Sequence, residues 1–183
     1  MEHKITVPVS KEALKSLKSG DTVLISGTIY TARDAAHKRM AEEFKKTGKF
    51  PIDLKNQVIY YAGPCPAKPG EVIGSCGPTT SGRMDAYSPL LFDNGICAVI
   101  GKGVRNEAVK NSMKKNGAVY FGASGGAGAL IAECIKKAEV IAYEDLGTEA
   151  IRKLTVSDFP VVVLFDNEGS DLYETGRKKY CKI

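Results

Sequence analysis

The chain has 183 residues, 43% hydrophobic and 26% charged, with a formal net charge of +5. Those values fit one compact domain able to bury a sizeable core. They argue against a membrane or nucleic-acid partner, because no apolar run approaches the roughly 20 residues that span a bilayer and no polybasic block is interleaved with aromatics.

The basic excess lies in Lys4 to Lys18, His37 to Lys55 and the tail from Arg177 to Lys182. It suits an anionic substrate as well as a solvated surface. The opening Met-Glu-His-Lys-Ile-Thr-Val-Pro lacks the charged-then-apolar pattern of a secretory signal, so a cytoplasmic protein is expected. Five cysteines (Cys65, Cys76, Cys97, Cys134, Cys181) stand no closer than eleven residues apart. No Cys-x-x-Cys pair serves zinc or redox chemistry, and an odd count without a secretion signal suggests reduced thiols. Cys97 lies in the apolar run Ile96–Ile100 and reads as packed.

In chain order, Ile5 to Val9 reads as a first strand and Ser10 to Leu17 as a short helix. Thr22 to Tyr30, rich in β-branched residues, reads as a second strand. Thr31 caps an amphipathic helix through Lys46, with Met40 and Phe44 inward. A strand follows at Gln57 to Ala62, then a proline-rich loop, Gly63 to Gly70, and a β-prone run, Glu71 to Cys76. The second half alternates more regularly. Strands are expected at Ile96–Ile100, Ala118–Gly122, Val140–Tyr143 and Val161–Phe165. Helices are expected at Arg105–Asn116, stopped by Gly117, and after Gly128 to Lys137. This alternation predicts a single layered α/β domain spanning residues 1–183.

Gly77-Pro-Thr-Thr-Ser-Gly-Arg-Met-Asp85 is the stretch with most chemistry. A helix starting near Thr79 and ending before Asn94 would leave free amides beside hydroxyls, with no Glu or Gln to complete a capping box. Arg83 would then share the face of Thr79, and the group would suit a carboxylate or phosphate. A capped helix with a solvated arginine has the same sequence.

Three other segments stand where strands end, the usual place for α/β ligand sites. Arg33 and His37 are four residues apart on one helix face. His37 could move a proton near neutral pH, or be an inert surface residue; Asp34 and Lys38 read as an exposed pair. Lys102 sits between Gly101 and Gly103, which allow a tight turn and close approach of a ligand to the backbone. Gly122 to Gly128 has the wrong glycine spacing for a dinucleotide site, and its small residues suit a helix starting close beside another segment.

Arg33-Asp34-x-x-His37, Gly77-Pro-Thr-Thr-x-Gly-Arg-Met-Asp85, Gly101-Lys-Gly103 and Gly125-Gly126 together resemble the C-terminal, or β-subunit, domain of class I fumarate hydratases. Tyr143-Glu-Asp-Leu-Gly-Thr-Glu-Ala150 and Asp158-Phe-Pro160 extend the likeness from about Val7 to Leu172. The related L-tartrate dehydratase β subunit is similar, but usually lacks the Gly-Arg-Met-Asp ending and the glycine pair.

The resemblance implies a swivelling β/β/α domain that closes over a four-iron four-sulfur cluster held by a separate α subunit, in an α2β2 hydro-lyase of the tricarboxylic acid cycle. It implies substrate-carboxylate binding by Arg33, Arg83 and Lys102, with Thr79 as the candidate for proton transfer. His37 matches a position given a catalytic role by similarity. No metal ligand is expected in this chain. Three functions follow: a fumarate hydratase β subunit, a tartrate dehydratase β subunit, or an anion-binding module that kept the fold without catalysis.

Overall fold

In the computed structural model, which describes residues 1–181, seven strands form one sheet in the order β1-β2-β3-β4-β5-β7-β6. The strands are β1 (Glu2–Val7), β2 (Thr22–Thr31), β3 (Val58–Tyr60), β4 (Ala98–Gly101), β5 (Val119–Gly122), β6 (Ile135–Ala142) and β7 (Ile151–Phe165). The first five pair in parallel, whereas β7 runs antiparallel to its neighbours. One edge of β7 pairs with β2 from Thr22↔Val162 to Thr31↔Arg152. Its other edge takes β6 and then the end of β5. The β2–β7 pairing therefore closes β2, β3, β4, β5 and β7 into a ring.

That closure buries both faces of the central strands. Residues of one parity, among them Tyr60, Ile100, Phe121, Val163, Ile25 and Ile29, pack together inside the ring. The opposite parity, Ile59, Tyr61, Val99, Tyr120 and Leu164, packs outward. It meets α2 (Asp34–Thr47), α3 (Ser88–Asp93) and α4 (Glu107–Asn116) through Met40, Leu91, Phe92, Val109 and Met113. Strands covered on both sides read as continuous apolar runs, which is how β4 and β5 were legible. Helix α1 (Lys11–Leu14), α5 (Gly128–Cys134) and α6 (Leu172–Tyr180) complete the α/β fold.

Several boundaries differ from the sequence reading. The first helix is only Lys11–Leu14, with Ser10 as its cap. Helix α2 is entered from Arg33 rather than Thr31, because Thr31 remains in β2 and its buried hydroxyl accepts the Arg152 amide. Gly48 ends that helix in the left-handed conformation. Glu71–Cys76 forms no strand. The helix after Gly128 stops at Cys134, since Ile135 onward pairs with β7. The last strand starts ten residues before Val161, and α6 was not anticipated. Lys182 of the basic tail lies outside the described residues.

Candidate active site

Four parallel strands end side by side, and each hands the chain to a candidate segment. Beyond β2 comes Arg33, beyond β3 come Tyr61 and Gly63, beyond β4 comes Lys102, and beyond β5 comes Ser124-Gly125. The 77–85 loop is laid across these ends. The Thr79 amide donates to Tyr61 O at 2.7 Å, and the Ser81 amide donates to Lys102 O at 2.8 Å. Thr80 and Lys102 thereby form an isolated parallel β-bridge.

This docking replaces the expected long helix. Only a 3₁₀ turn, Ser81–Met84, follows Thr80, and α3 begins at Ser88. The amides of Thr79 and Ser81 are used by the chain itself, so a helix N-terminus with free donors is not how this loop is built. What it offers instead is side chains. Thr79 is half-buried, while Arg83 projects with 56% of its side chain exposed.

Arg83 and Arg33 face one another across Asp34. Asp34 Oδ2 lies 3.5 Å from Arg33 Nε and 3.9 Å from Arg83 Nη1. Arg33 Nη2 also lies 3.3 Å from Glu149 Oε1, while Glu149 Oε2 accepts the Ala35 amide at 2.8 Å. Asp34 therefore serves the two arginines rather than the exposed pair with Lys38 that helix spacing suggested. Gly63 makes room for Arg33, since a Cβ there would stand 2.7 Å from Nη1.

Lys102 lies on the same strand ends with an exposed side chain, and among the described residues no carboxylate pairs with it. Its ammonium passes over Gly125, where a Cβ would come within 3.0 Å of Nζ. The space at Gly101 is filled by the protein rather than left for a ligand: an added Cβ would meet Ser81 Oγ at 2.0 Å. The small residues after β5 do allow close packing, because a Cβ on Gly128 would stand 2.5 Å from Ser75 Oγ.

His37 is fully buried, not at the surface. Its Nδ1 lies 3.0 Å from Arg33 O. A carbonyl only accepts, so the neutral ring carries its proton on Nδ1 and leaves Nε2 as an acceptor. Burial lowers its pKa to about 4, and the nearby Arg105 charge acts in the same direction. Its ring meets Tyr61 edge-on at 5.3 Å, and Nε2 has no partner among the described residues.

The fumarase C-terminus model matches residues 2–176. This chain belongs to the fumarase C-terminus family. The chain is 39% identical over 159 residues to "Fumarate hydratase class I, aerobic" of Salmonella typhimurium, covering 86% of this chain and 27% of that protein. Against "Fumarate hydratase class I, anaerobic" of Escherichia coli the identity is 40% over 159 residues, 86% of this chain and 29% of the other. A Methanocaldococcus jannaschii protein with a provisional L(+)-tartrate dehydratase subunit beta name is 38% identical over 177 residues, covering 93% and 91%. The chain thus spans under a third of those fumarate hydratases, and nearly all of the subunit-sized relative.

Within this fumarase C-terminus domain, sequence reading missed the support beneath the loop. Arg105 is buried, with Nε 2.6 Å from Asp85 Oδ1 and Nη2 donating to Ser88 Oγ at 2.7 Å. It had been read as the first residue of a helix; the helix is instead capped by Asn106, whose side chain accepts the Val109 amide. Asp85, a member of the central motif, is thereby a structural anion. The one signal in the sequence was an arginine three residues after Lys102.

Among the described residues no group of three His, Cys, Asp or Glu side chains could hold a metal ion. Cys76 and Cys97 are buried, and burial pushes both thiols up to about 12, away from the thiolate form that binds iron. Among the described residues no group of side chains fits an iron–sulfur cluster.

Proposed function

We propose that this chain is the β subunit of an iron–sulfur fumarate hydratase, interconverting fumarate and L-malate only when joined to an α subunit that holds the cluster. The carrying observation is the convergence of Arg33 and Arg83 on one carboxylate oxygen, with the ammonium of Lys102, which no carboxylate pairs among the described residues, at the end of β4 in the same row of strand ends. A carboxylate held between two guanidinium groups is the arrangement a dicarboxylate substrate would need from this surface. The curated fumarate hydratases to which the chain is similar support the same reading.

The chemistry follows from charge. Fumarate carries two negative charges, and leaving water costs it that hydration unless cations replace it. Arg33, Arg83 and Lys102 would supply them from fixed positions. Removing a proton beside a carboxylate builds charge on that carboxylate, where preorganised cations stabilise the developing anion. Thr79 stands at the loop's edge as the proton-transfer candidate. A hydroxyl is a weak base, so Thr79 requires a neighbour to take its proton, and we assign that neighbour to the companion chain. His37, neutral and enclosed, ranks behind it as a proton carrier. A cytoplasmic α2β2 assembly belongs to the same reading, and no helix among the described residues is long and apolar enough to cross a membrane.

Tartrate dehydratase is the second reading, favoured by the near full-length match to the subunit with that name. Anaerobic co-expression with a cluster-bearing companion, followed by turnover assays on fumarate and on tartrate, separates the two. Faster hydration of fumarate supports the first and faster dehydration of tartrate the second. Turnover of neither by a cluster-loaded complex would leave an anion-binding module.

A further inference from the structure

We propose that Arg105 is the positioning residue that holds Thr79, Arg83 and Lys102 in one register, an inference that rests on the reading of those three as the anion-binding set. Its guanidinium touches the turn that carries Arg83 and reaches the other two through tyrosine rings. Through Nε it grips Asp85, which ends the turn carrying Arg83 and whose other oxygen accepts the Asn106 amide at 2.8 Å. Through Nη2 it donates to Ser88 Oγ, which donates in turn to Met84 O at 2.8 Å. Its Cζ lies over two rings, 5.3 Å from the Tyr61 centroid and 5.4 Å from that of Tyr120.

Both tyrosines lead onward to the site. Tyr61 O accepts the Thr79 amide, and its hydroxyl reaches Ser88 Oγ at 3.2 Å. Tyr120 OH lies 2.8 Å from Gly103 O and 2.9 Å from Ser81 Oγ. Since Gly103 O only accepts, the consistent assignment has Tyr120 donating to it and Ser81 donating to Tyr120. Ser81 Oγ then accepts the Lys102 amide at 3.1 Å. One buried cation thus braces the Arg83 turn directly and the Lys102 turn through Tyr120.

Fold stability alone does not call for such an arrangement. Apolar side chains in place of a buried ion pair are often neutral or stabilising. A flat fork that binds two acceptors beside two tyrosine rings sets directions, which an ammonium cannot do. What the geometry secures is the relative placement of two chain segments that both carry candidate cations.

The test uses the complex of this chain with its companion, comparing wild type, Arg105→Lys and Tyr120→Phe. Arg105→Lys keeps the charge and loses the fork; Tyr120→Phe keeps the ring and breaks the link to Ser81 and Gly103. Steady-state kinetics, succinate binding by calorimetry and thermal unfolding are read on each. Positioning predicts a KM raised tenfold or more and succinate binding weakened in step, with a smaller change in kcat and an unfolding midpoint near wild type. Should Arg105→Lys fail to fold, Tyr120→Phe carries the same expectation. Variants that bind succinate as tightly as wild type overturn the proposal, as does a loss of activity that merely tracks the fraction unfolded. Arg83→Met is run in parallel: if it leaves succinate binding unchanged, the anion-site reading itself fails, which is distinct from failure of Arg105 alone.

Discussion

Arg33 and Arg83, fifty residues apart in the chain, meet at a single oxygen, Oδ2 of Asp34, at 3.5 and 3.9 Å. A carboxylate there keeps two like charges close without a ligand. It also marks where a substrate carboxylate would find two guanidinium groups at once.

Arg83→Met removes one of them. The side chain is 56% exposed, so folding free energy should change by no more than about 0.5 kcal/mol. A charge-assisted hydrogen bond lost from the bound state is worth roughly 1.5–3 kcal/mol, a fall in kcat/KM of roughly 10- to 150-fold. Kinetics and urea denaturation on the same preparation check this; equal losses of folding and turnover would make Arg83 structural.

Lys102→Ala should raise KM strongly while leaving the loop docked. The contacts that seat Lys102 are made by its backbone, to Ser81 N and Ser81 Oγ, and survive the truncation. An unchanged KM and kcat would remove Lys102 from the site.

Gly101→Ala should destabilise by about 1–3 kcal/mol, the usual range for overpacking, because the new Cβ would stand 2.0 Å from Ser81 Oγ. Adding Ser81→Ala removes that oxygen and should recover part of the loss. Denaturation midpoints of the single and double variants measure it; additive losses would show that the two positions do not touch.

His37 gives the fold a pH dependence. Burial lowers its pKa from 6.5 to about 4, with Arg105 adding to the shift and the Arg33 carbonyl and Asp34 opposing it. Between those values the unfolded chain binds a proton that the folded chain does not. The contribution is therefore full above pH 6.5 and is lost as pH falls toward 4, on the order of 3 kcal/mol in total. His37→Asn, which keeps a donor for Arg33 O, should flatten that part of the stability profile. Parallel wild-type and variant curves would show that His37 does not titrate in this way.

Thiol reactivity should divide by burial. Cys65 is exposed, whereas Cys76 and Cys97 are enclosed with pKa values pushed up to about 12. A maleimide at neutral pH should label Cys65 in the native state and reach Cys76 and Cys97 only after denaturant is added. Mass spectrometry of the labelled peptides reads the outcome.

Features set by local chemistry are legible in the sequence. Apolar runs at Ile96–Ile100 and Ala118–Gly122, and Gly117 as a helix stop, gave β4, β5 and the end of α4, because each depends on a few neighbouring side chains. The motifs also singled out Arg33, His37, Thr79, Arg83 and Lys102 as candidates, among which His37 lies in the interior.

Tertiary structure decided the rest. Asp158, at φ 49°, and Pro160 break a strand by local rules, yet β7 continues past both: Asp158 falls in the bulge where the β2 register shifts between Ile25↔Phe159 and Gly27↔Val156, and Pro160 stays paired with Leu24. The 77–85 loop chose the ends of β3 and β4 over helix formation, since those ends offered partners for its amides. His37 went inside because α2 packs its Ala36 and Met40 face into the core beside Tyr61, and Asp34 turned to Arg83, which a distant loop brought close. Burial and pairing of distant segments are properties of the closed ring, and no window of sequence contains them.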